Sequence, residues 1–549
     1  MEATPGGTAA AAHAFSPKPL TTYAGTESTP TLSPDGNQVA FSWDGESQDN
    51  VDIYVRLIAG GAPLRLTTAR ERDFAPAWSP DGASIAFLRT RSQATAGVYL
   101  TSPLGGAERE IGEAYVDLIL GAGIAWTPDS KRVIIARKPE GEPRPSLFTL
   151  DVETREIALL ISRPPDVYQD TQLTYSPDGR SFVFVRSRGS NAQELYFVSG
   201  GGEPKPLNRV EFSFGGLTWT PDSSEIVYST PSEIQRLRVD EAGATPRTVA
   251  AIAGVQGLIL SRSGRLVYSV NTFDTNLYLL DVDRPGSQAR IIASSTRAES
   301  HPQISPDGSR IAFASDRSGA QEIWIAGVDG STPTRLTALG GQAAHSPAWS
   351  PDGKRIAFSG LKSGNRDIYV IDANGGGLHR LTDDALEEGR PMWSRDGRFL
   401  YYYSLRGGRS NTLRLPVEGG QPVQITRNGG HRAWESPDGS SLFIEKAETP
   451  GLFRARLDGS GETMLLPDVL VGGCSLSRDG IFYVPRGDTL PLPILFHDLR
   501  TGAARQVGRI EKPVARQSNY LSASWDGKRL VWSQRDSSTA DLMLVENFR

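Results

Sequence analysis

A four-residue turn recurs along the whole chain, and its spacing limits the fold more than any other feature. Ser-Pro-Asp-Gly begins at Ser33, Ser79, Ser176, Ser305, Ser350 and Ser436. Near-copies begin at Thr127, Thr220, Ser261, Ser394, Ser477 and Ser524, so successive copies lie 41 to 49 residues apart. Serine first, proline second and glycine fourth are what a type I turn prefers. Proline presets φ, and the aspartate side chain can take nearby backbone amides.

The residues between turns read as four short strands per repeat. In the seventh repeat these are 302–305, 310–315 (RIAFAS), 322–326 (EIWIA) and 334–337 (TRLT), parted by Asp- and Gly-containing turns. The same order recurs from Val39 to Thr67 and from Ile356 to Thr382. Short β-rich runs bounded by Gly, Asp and Pro mean hairpins, and no segment has a convincing helical period. Twelve such units at this period match four-stranded propeller blades. Apolar residues occupy both faces of the middle strands, as expected where each blade packs against a neighbour on either side. Trp78, Trp126, Trp219, Trp349 and Trp393 all stand just before the turn and are assigned to the inter-blade core.

The expected fold is therefore all-β, with two consecutive six-bladed propellers. The last repeat lacks a fourth strand, and residues 18–23 (KPLTTY) offer a spare one. A second spare strand lies at 289–294 (ARIIAS). Closing a ring removes exposed strand edges. This places one ring over residues 18–286 and another over 287–549, after a disordered linker over 1–17.

Composition narrows the function. The net charge is −5 with no long basic run, so the phosphate-neutralising patch of a nucleic-acid binder is missing. No stretch is long and apolar enough to span a membrane, and the N-terminus lacks the pattern of a signal peptide. The single cysteine, Cys474, rules out an internal disulfide and falls at a first-strand position expected to be buried.

The repeat consensus, PxWSPDGxxIAFxS followed by IYV or IWI and then GG and LT, resembles that of TolB-type β-propellers across nearly the whole chain. Residues 425–430 and the tail from Asp541 to Phe548 also resemble the C-terminal propeller regions of bacterial membrane-tethered CadC-type regulators and receptor-like serine/threonine kinases. That resemblance implies an extracytoplasmic, periplasmic sensor or interaction module. It would meet a membrane only through an N-terminal anchor that this sequence does not contain.

Catalytic motifs are scarce. There is no G-x-S-x-G elbow, H-E-x-x-H, paired C-x-x-C or P-loop, so no cofactor and no enzyme activity are expected. Three of the six histidines, His301, His345 and His431, precede first strands of the second ring. Such loops line one mouth of a propeller channel, where imidazoles from different blades can meet a ligand or a metal. Glu27, Asp73, Glu299, Glu388 and Arg390 lie in the same loops. In the tenth repeat Glu435 stands where a large apolar residue is usual and Trp434 is displaced by one. A one-residue shift reverses strand faces or is absorbed by a bulge. The expected binding residues are His301, His345, Arg390, His431, Arg432 and Glu435, with no catalytic or metal-ligating set. The expected partner is a protein or peptide, or else a small ligand. The alternative is a polysaccharide lyase or hydrolase built on the second ring's histidines and carboxylates.

Overall fold

The computed structural model describes residues 15–548 except 93, 117–122, 140, 141, 143, 165, 166, 168, 188–192, 211–214, 231, 232, 241–243, 253, 285, 296, 341, 342, 363, 364, 385, 407, 408, 448, 488 and 515–519. All helix or strand elements among them are β-strands. They form ten four-stranded sheets whose strands pair in sequence order, and one six-stranded sheet. The linker expected over 1–17 lies outside the described residues up to position 14. From Phe15 onward the chain belongs to the fold: Phe15 stacks on Tyr268 at 6.5 Å and meets Phe548 edge-on at 6.3 Å.

Three devices recur among the blades. In ten of the turns the Ser or Thr hydroxyl donates to the Asp carboxylate at 2.5–2.7 Å. The carboxylate also accepts the amide two residues on, as at Asp307 and Ser309 (3.0 Å). The recurring Leu-Thr has an equally local cause. The threonine hydroxyl accepts a third-strand amide: Thr67 from Ile53, Thr337 from Ile323, Thr382 from Ile368 and Thr426 from Thr412, at 2.8–3.0 Å. The third device joins blades. The indoles of Trp126, Trp219, Trp349 and Trp393 donate to carbonyls of the preceding blade, at Ala77, Thr174, Gln303 and Ala348 (2.9–3.1 Å). Middle strands such as Arg310–Ser315 are buried on both faces after the first residue. Ala312, Ala314 and Ile323 of one blade pack with Trp349, Ile356 and Phe358 of the next.

The chain divides into two compact units, Met1–Thr272 with Thr539–Arg549, and Phe273–Ser538. Each holds six blades. In the first unit the sixth blade is made of Val255–Leu260, residues 266–272, residues 539–545 and Lys18–Pro19. In the second unit it is made of Leu521–Ala523, residues 529–538, residues 273–281 and Arg290–Ala293.

Both spare strands thus occupy outermost positions, but the third strands are exchanged. The strand Leu266–Asp281 runs from the first unit into the second, and Arg529–Val545 runs back. The units part at 272/273 and 538/539, which corrects the boundary expected at 286/287. The two candidate third strands, around Leu277–Leu280 and Leu542–Val545, are short apolar runs of similar composition. Local pattern gives each the same preference, and only tertiary pairing assigns them.

Candidate functional site

The first strand of most blades carries an extra residue. Pairing shifts between Ser300 and Gln303, between His345 and Ala348, and between Gly389 and Met392. The bulged residues His301, Ser346 and Arg390 have φ of 52–54°, a region that non-glycine residues rarely enter. Bulges re-aim side chains, and these three lie in successive blades of the second unit at one level of the first strands. The tenth repeat differs in the opposite sense from the bulge expected there. Arg432–Glu435 pairs one-to-one with Leu442–Glu445, without a shift.

Five of the six expected residues share one neighbourhood. His301 stacks on His345 (5.4 Å between centroids) and His431 on Tyr403 (5.0 Å). The Nδ1 atoms of His301 and His345 lie 3.0 and 3.1 Å from the hydroxyls of Ser300 and Ser346. Burial, then the guanidinium groups of Arg390, Arg366 and Arg432, push His301 down to about 3. Burial and Arg366, then His301 and Arg390, hold His345 well below the usual imidazole range, and burial with Arg390 and Arg432 does the same to His431. Arg390 itself is lowered to about 10, mainly by burial. The imidazoles are therefore neutral at pH 7, in a field set by cations.

Arg432 is buried, its guanidinium 4.2 Å above Trp434, its Nε 3.3 Å from the Glu445 carboxylate and its Nη2 donating to the Cys474 carbonyl. Six polar atoms of this neighbourhood are buried and have no hydrogen-bond partner among the described residues: His345 Nε2, His431 Nδ1, the Tyr520 hydroxyl, the Nε atoms of Arg366 and Arg432, and Glu445 Oε2. The histidines are stacked rather than converging. Among the described residues no group of three or more His, Cys, Asp or Glu is placed to hold a metal ion.

Glu435 is not part of this neighbourhood. It occupies the strand position that Trp349 and Trp393 hold elsewhere, and its carboxylate accepts the Tyr401 hydroxyl and the Arg395 amide, both at 2.9 Å. It replaces the indole as a link to the preceding blade. The acids flagged in the first-strand loops are also structural. Glu27 accepts from Thr21, Tyr23 and Leu542, Asp73 takes Arg89, and Glu299 takes Ser295, Ser315 and Arg317. Cys474 is buried, and burial followed by the nearby Glu445 pushes its thiol well above the ordinary range.

Sequence reasoning missed Arg366, Tyr403, Glu445 and Tyr520. A signal for the last existed. Tyr520 stands four residues before its turn serine, as His301, Arg390 and Arg432 do before theirs. Arg366, Tyr403 and Glu445 come from second and third strands, where no spacing marks them. Elsewhere in the second unit, the turn at Ser477 is two residues shorter than the others, closing on Gly480. Beside it opens a cleft of about 710 Å³ bordered by Phe496, Arg500, Arg505 and Lys528.

Residues 340–487 match the sequence profile described as the TolB beta propeller domain. Residues 340–487 are thus TolB-like, within an all-β chain of propeller blades. The chain is similar to the "Uncharacterized peptidase YuxL" of Bacillus subtilis, 26% identical over 208 residues, covering 36% of this chain and 29% of that one. It is also similar to "Tricorn protease homolog 1" of Streptomyces coelicolor, 36% identical over 69 residues, covering 13% of this chain and 6% of that one. The matches thus span under a third of either relative. Among solved structures, TolB from Acinetobacter baumannii covers 59% of this chain and 81% of its own, with a TM-score of 0.36 and 17% identity. The relatives named as a peptidase and a protease homolog overturn the expectation that the chain has no enzyme activity, and that expectation is withdrawn. The expectation rested on motifs alone, and repeat sequence reports the propeller fold without deciding function.

Proposed function

We propose that the chain is a ligand-recognition propeller serving peptide hydrolysis, and that it binds a protein or peptide at the inner first-strand level of its second unit. The observation that carries this reading is His345, whose buried Nε2 has no partner among the described residues. An unpaired buried polar group costs free energy, and a bound ligand would supply the missing partner. His301, Arg390, His431 and Arg432 belong to the same surface. The link to hydrolysis is supported by the names of the two relatives. Extracytoplasmic placement is part of the proposal and rests on the family resemblance. The finer resemblance to membrane-tethered regulators rests on segments that have structural duties here. The tail Asp541–Phe548 supplies a closing strand, and Ile425 and Thr426 hold the ninth blade's third strand.

The test is incubation of the immobilised full chain with a pool of random decapeptides, read by mass spectrometry for capture and for cleavage. Selective capture or cleavage, reduced in His345→Ala, is the expected result. A pool recovered intact and unenriched would overturn the reading.

A further inference from the structure

The neighbourhood around His345 has a chemical bias of its own. The charged groups that depress His301 and His431 are all guanidinium groups, those of Arg390, Arg366 and Arg432. The nearby carboxylates are already engaged. Glu387 lies 3.3 Å from Arg366 and accepts the Tyr403 hydroxyl at 2.9 Å. Glu445 faces Arg432 and accepts the Gly472 amide at 2.8 Å. Against this background the atoms without a hydrogen bond among the described residues are five donors, His345 Nε2, His431 Nδ1, Tyr520 Oη and the Nε atoms of Arg366 and Arg432, and one acceptor, Glu445 Oε2, which faces Arg432. His345 and Tyr520 are both more than nine-tenths buried, at 8% and 0% exposure.

The His345, His431 and Tyr520 atoms can each donate. If the Ser346 hydroxyl gives its proton to His345 Nδ1, the proton of that ring sits on Nε2. The Tyr520 phenol, raised far above its ordinary range by burial and then by Glu445, keeps its proton. Glycine at 473 makes room for it, since a Cβ there would fall 2.3 Å from the Tyr520 oxygen. Donors outnumber acceptors among these unpartnered atoms, and the histidines lie in the field of the arginines, which suits an anion. It does not suit a metal ion or a lysine.

We infer that this surface holds a carboxylate of the bound peptide, with His345 Nε2, His431 Nδ1 and Tyr520 Oη as hydrogen-bond donors and Arg390 and Arg432 as the source of positive potential. The inference rests on the peptide-recognition reading above and names the group recognised. The carboxylate can be a Glu or Asp side chain or the chain terminus, and the two sources are separable. Oxyanion recognition by charge-assisted hydrogen bonds is strong and geometrically selective.

The experiment uses the full chain and the decapeptides most enriched from the random pool. Each is resynthesised as the free acid, as the C-terminal amide, and as the amide with Glu and Asp replaced by Gln and Asn. Affinity is read by isothermal calorimetry. The fully neutral form is expected to bind at least about tenfold more weakly than the free acid. The amide alone reports whether the terminus or a side chain is held. Two variants, Tyr520→Phe and His431→Phe, keep the ring and remove the Tyr520 hydroxyl and the His431 ring nitrogens, of which Tyr520 Oη and His431 Nδ1 have no partner among the described residues. Both are expected to melt at or above the wild-type temperature while weakening the free acid about tenfold or more. Arg500→Ala, in the separate cleft, is expected to change nothing. Enriched peptides that bind equally well in their neutral forms, or variants that bind like wild type, would overturn the carboxylate assignment and leave peptide recognition standing. A pool with no enriched member would overturn both.

Discussion

Arg432 and Glu445 are 4% and 1% exposed and face each other at 3.3 Å. Arg432→Met keeps most of the side-chain volume and the contact with Trp434, but it leaves a carboxylate buried without its cation. Breaking a buried pair from one side costs about 3–5 kcal/mol. In a unit of this size each kcal/mol lowers the melting temperature by about 2–4 °C, so the transition of the second unit is expected to fall by roughly 10 °C. Glu445→Gln in the same chain removes the stranded charge and retains an oxygen for the Gly472 amide. The double variant is therefore expected to recover most of the loss. Differential scanning calorimetry of wild type, both single variants and the double variant measures the coupling directly. A single Arg432→Met variant that melts within about 2 °C of wild type would refute the reasoning. So would a double variant as unstable as that single one.

Three further outcomes follow from the fold. Fragments 18–286 and 287–549 are expected to lack cooperative melting, because the first loses residues 539–545 from its sixth blade and the second loses 273–281. Residues 15–272 joined to 539–549 are expected to melt cooperatively by circular dichroism, and failure to do so would count against the exchange. Glu27, fully buried and raised to about 7 mainly by burial, binds a proton more tightly folded than unfolded. Stability is therefore expected to fall as pH rises from about 4.5 to 7, by on the order of 3 kcal/mol at most, and then level off. Glu27→Gln should lose that slope, so the difference between the stability-versus-pH curves of wild type and variant should itself change from about pH 4.5 to 7, and parallel curves would contradict it. Thr382→Val withdraws the acceptor from the Ile368 amide and is expected to cost about 1–2 kcal/mol by urea denaturation. A loss below about 0.5 kcal/mol would show that the Leu-Thr motif is not a hydrogen-bonding device.

The sequence by itself determined the blade. The serine–aspartate bond of the turn, the threonine that takes a third-strand amide and the alternation of the short strands act within about fifteen residues, so a local pattern carries them. The tryptophans before the turn were also legible, because a large aromatic at that register has only the next blade to pack against. His301, His345, Arg390, His431 and Arg432 could be grouped by their spacing from the turns, although the expectation put them in loops and His301, His345, Arg390 and Arg432 lie within the first strands themselves. Glu435 was misplaced because the same position holds an inter-blade link, and a carboxylate can replace an indole there.

What only the tertiary structure decided is where strands with equal local preference go. Residues 273–281 and 539–545 satisfy the same pattern, and long-range pairing exchanges them between the two units. The carboxylate partners of the arginines, Glu387 and Glu445, and the stacking ring of Tyr403 likewise arrive from other strands, at separations no repeat spacing records. Burial then sets the chemistry. Burial pushes Glu27 up to about 7, and burial followed by the guanidinium groups of Arg390, Arg366 and Arg432 pushes His301 down to about 3. Both conditions are made by residues far apart in the chain, and they exist only once the blades have closed.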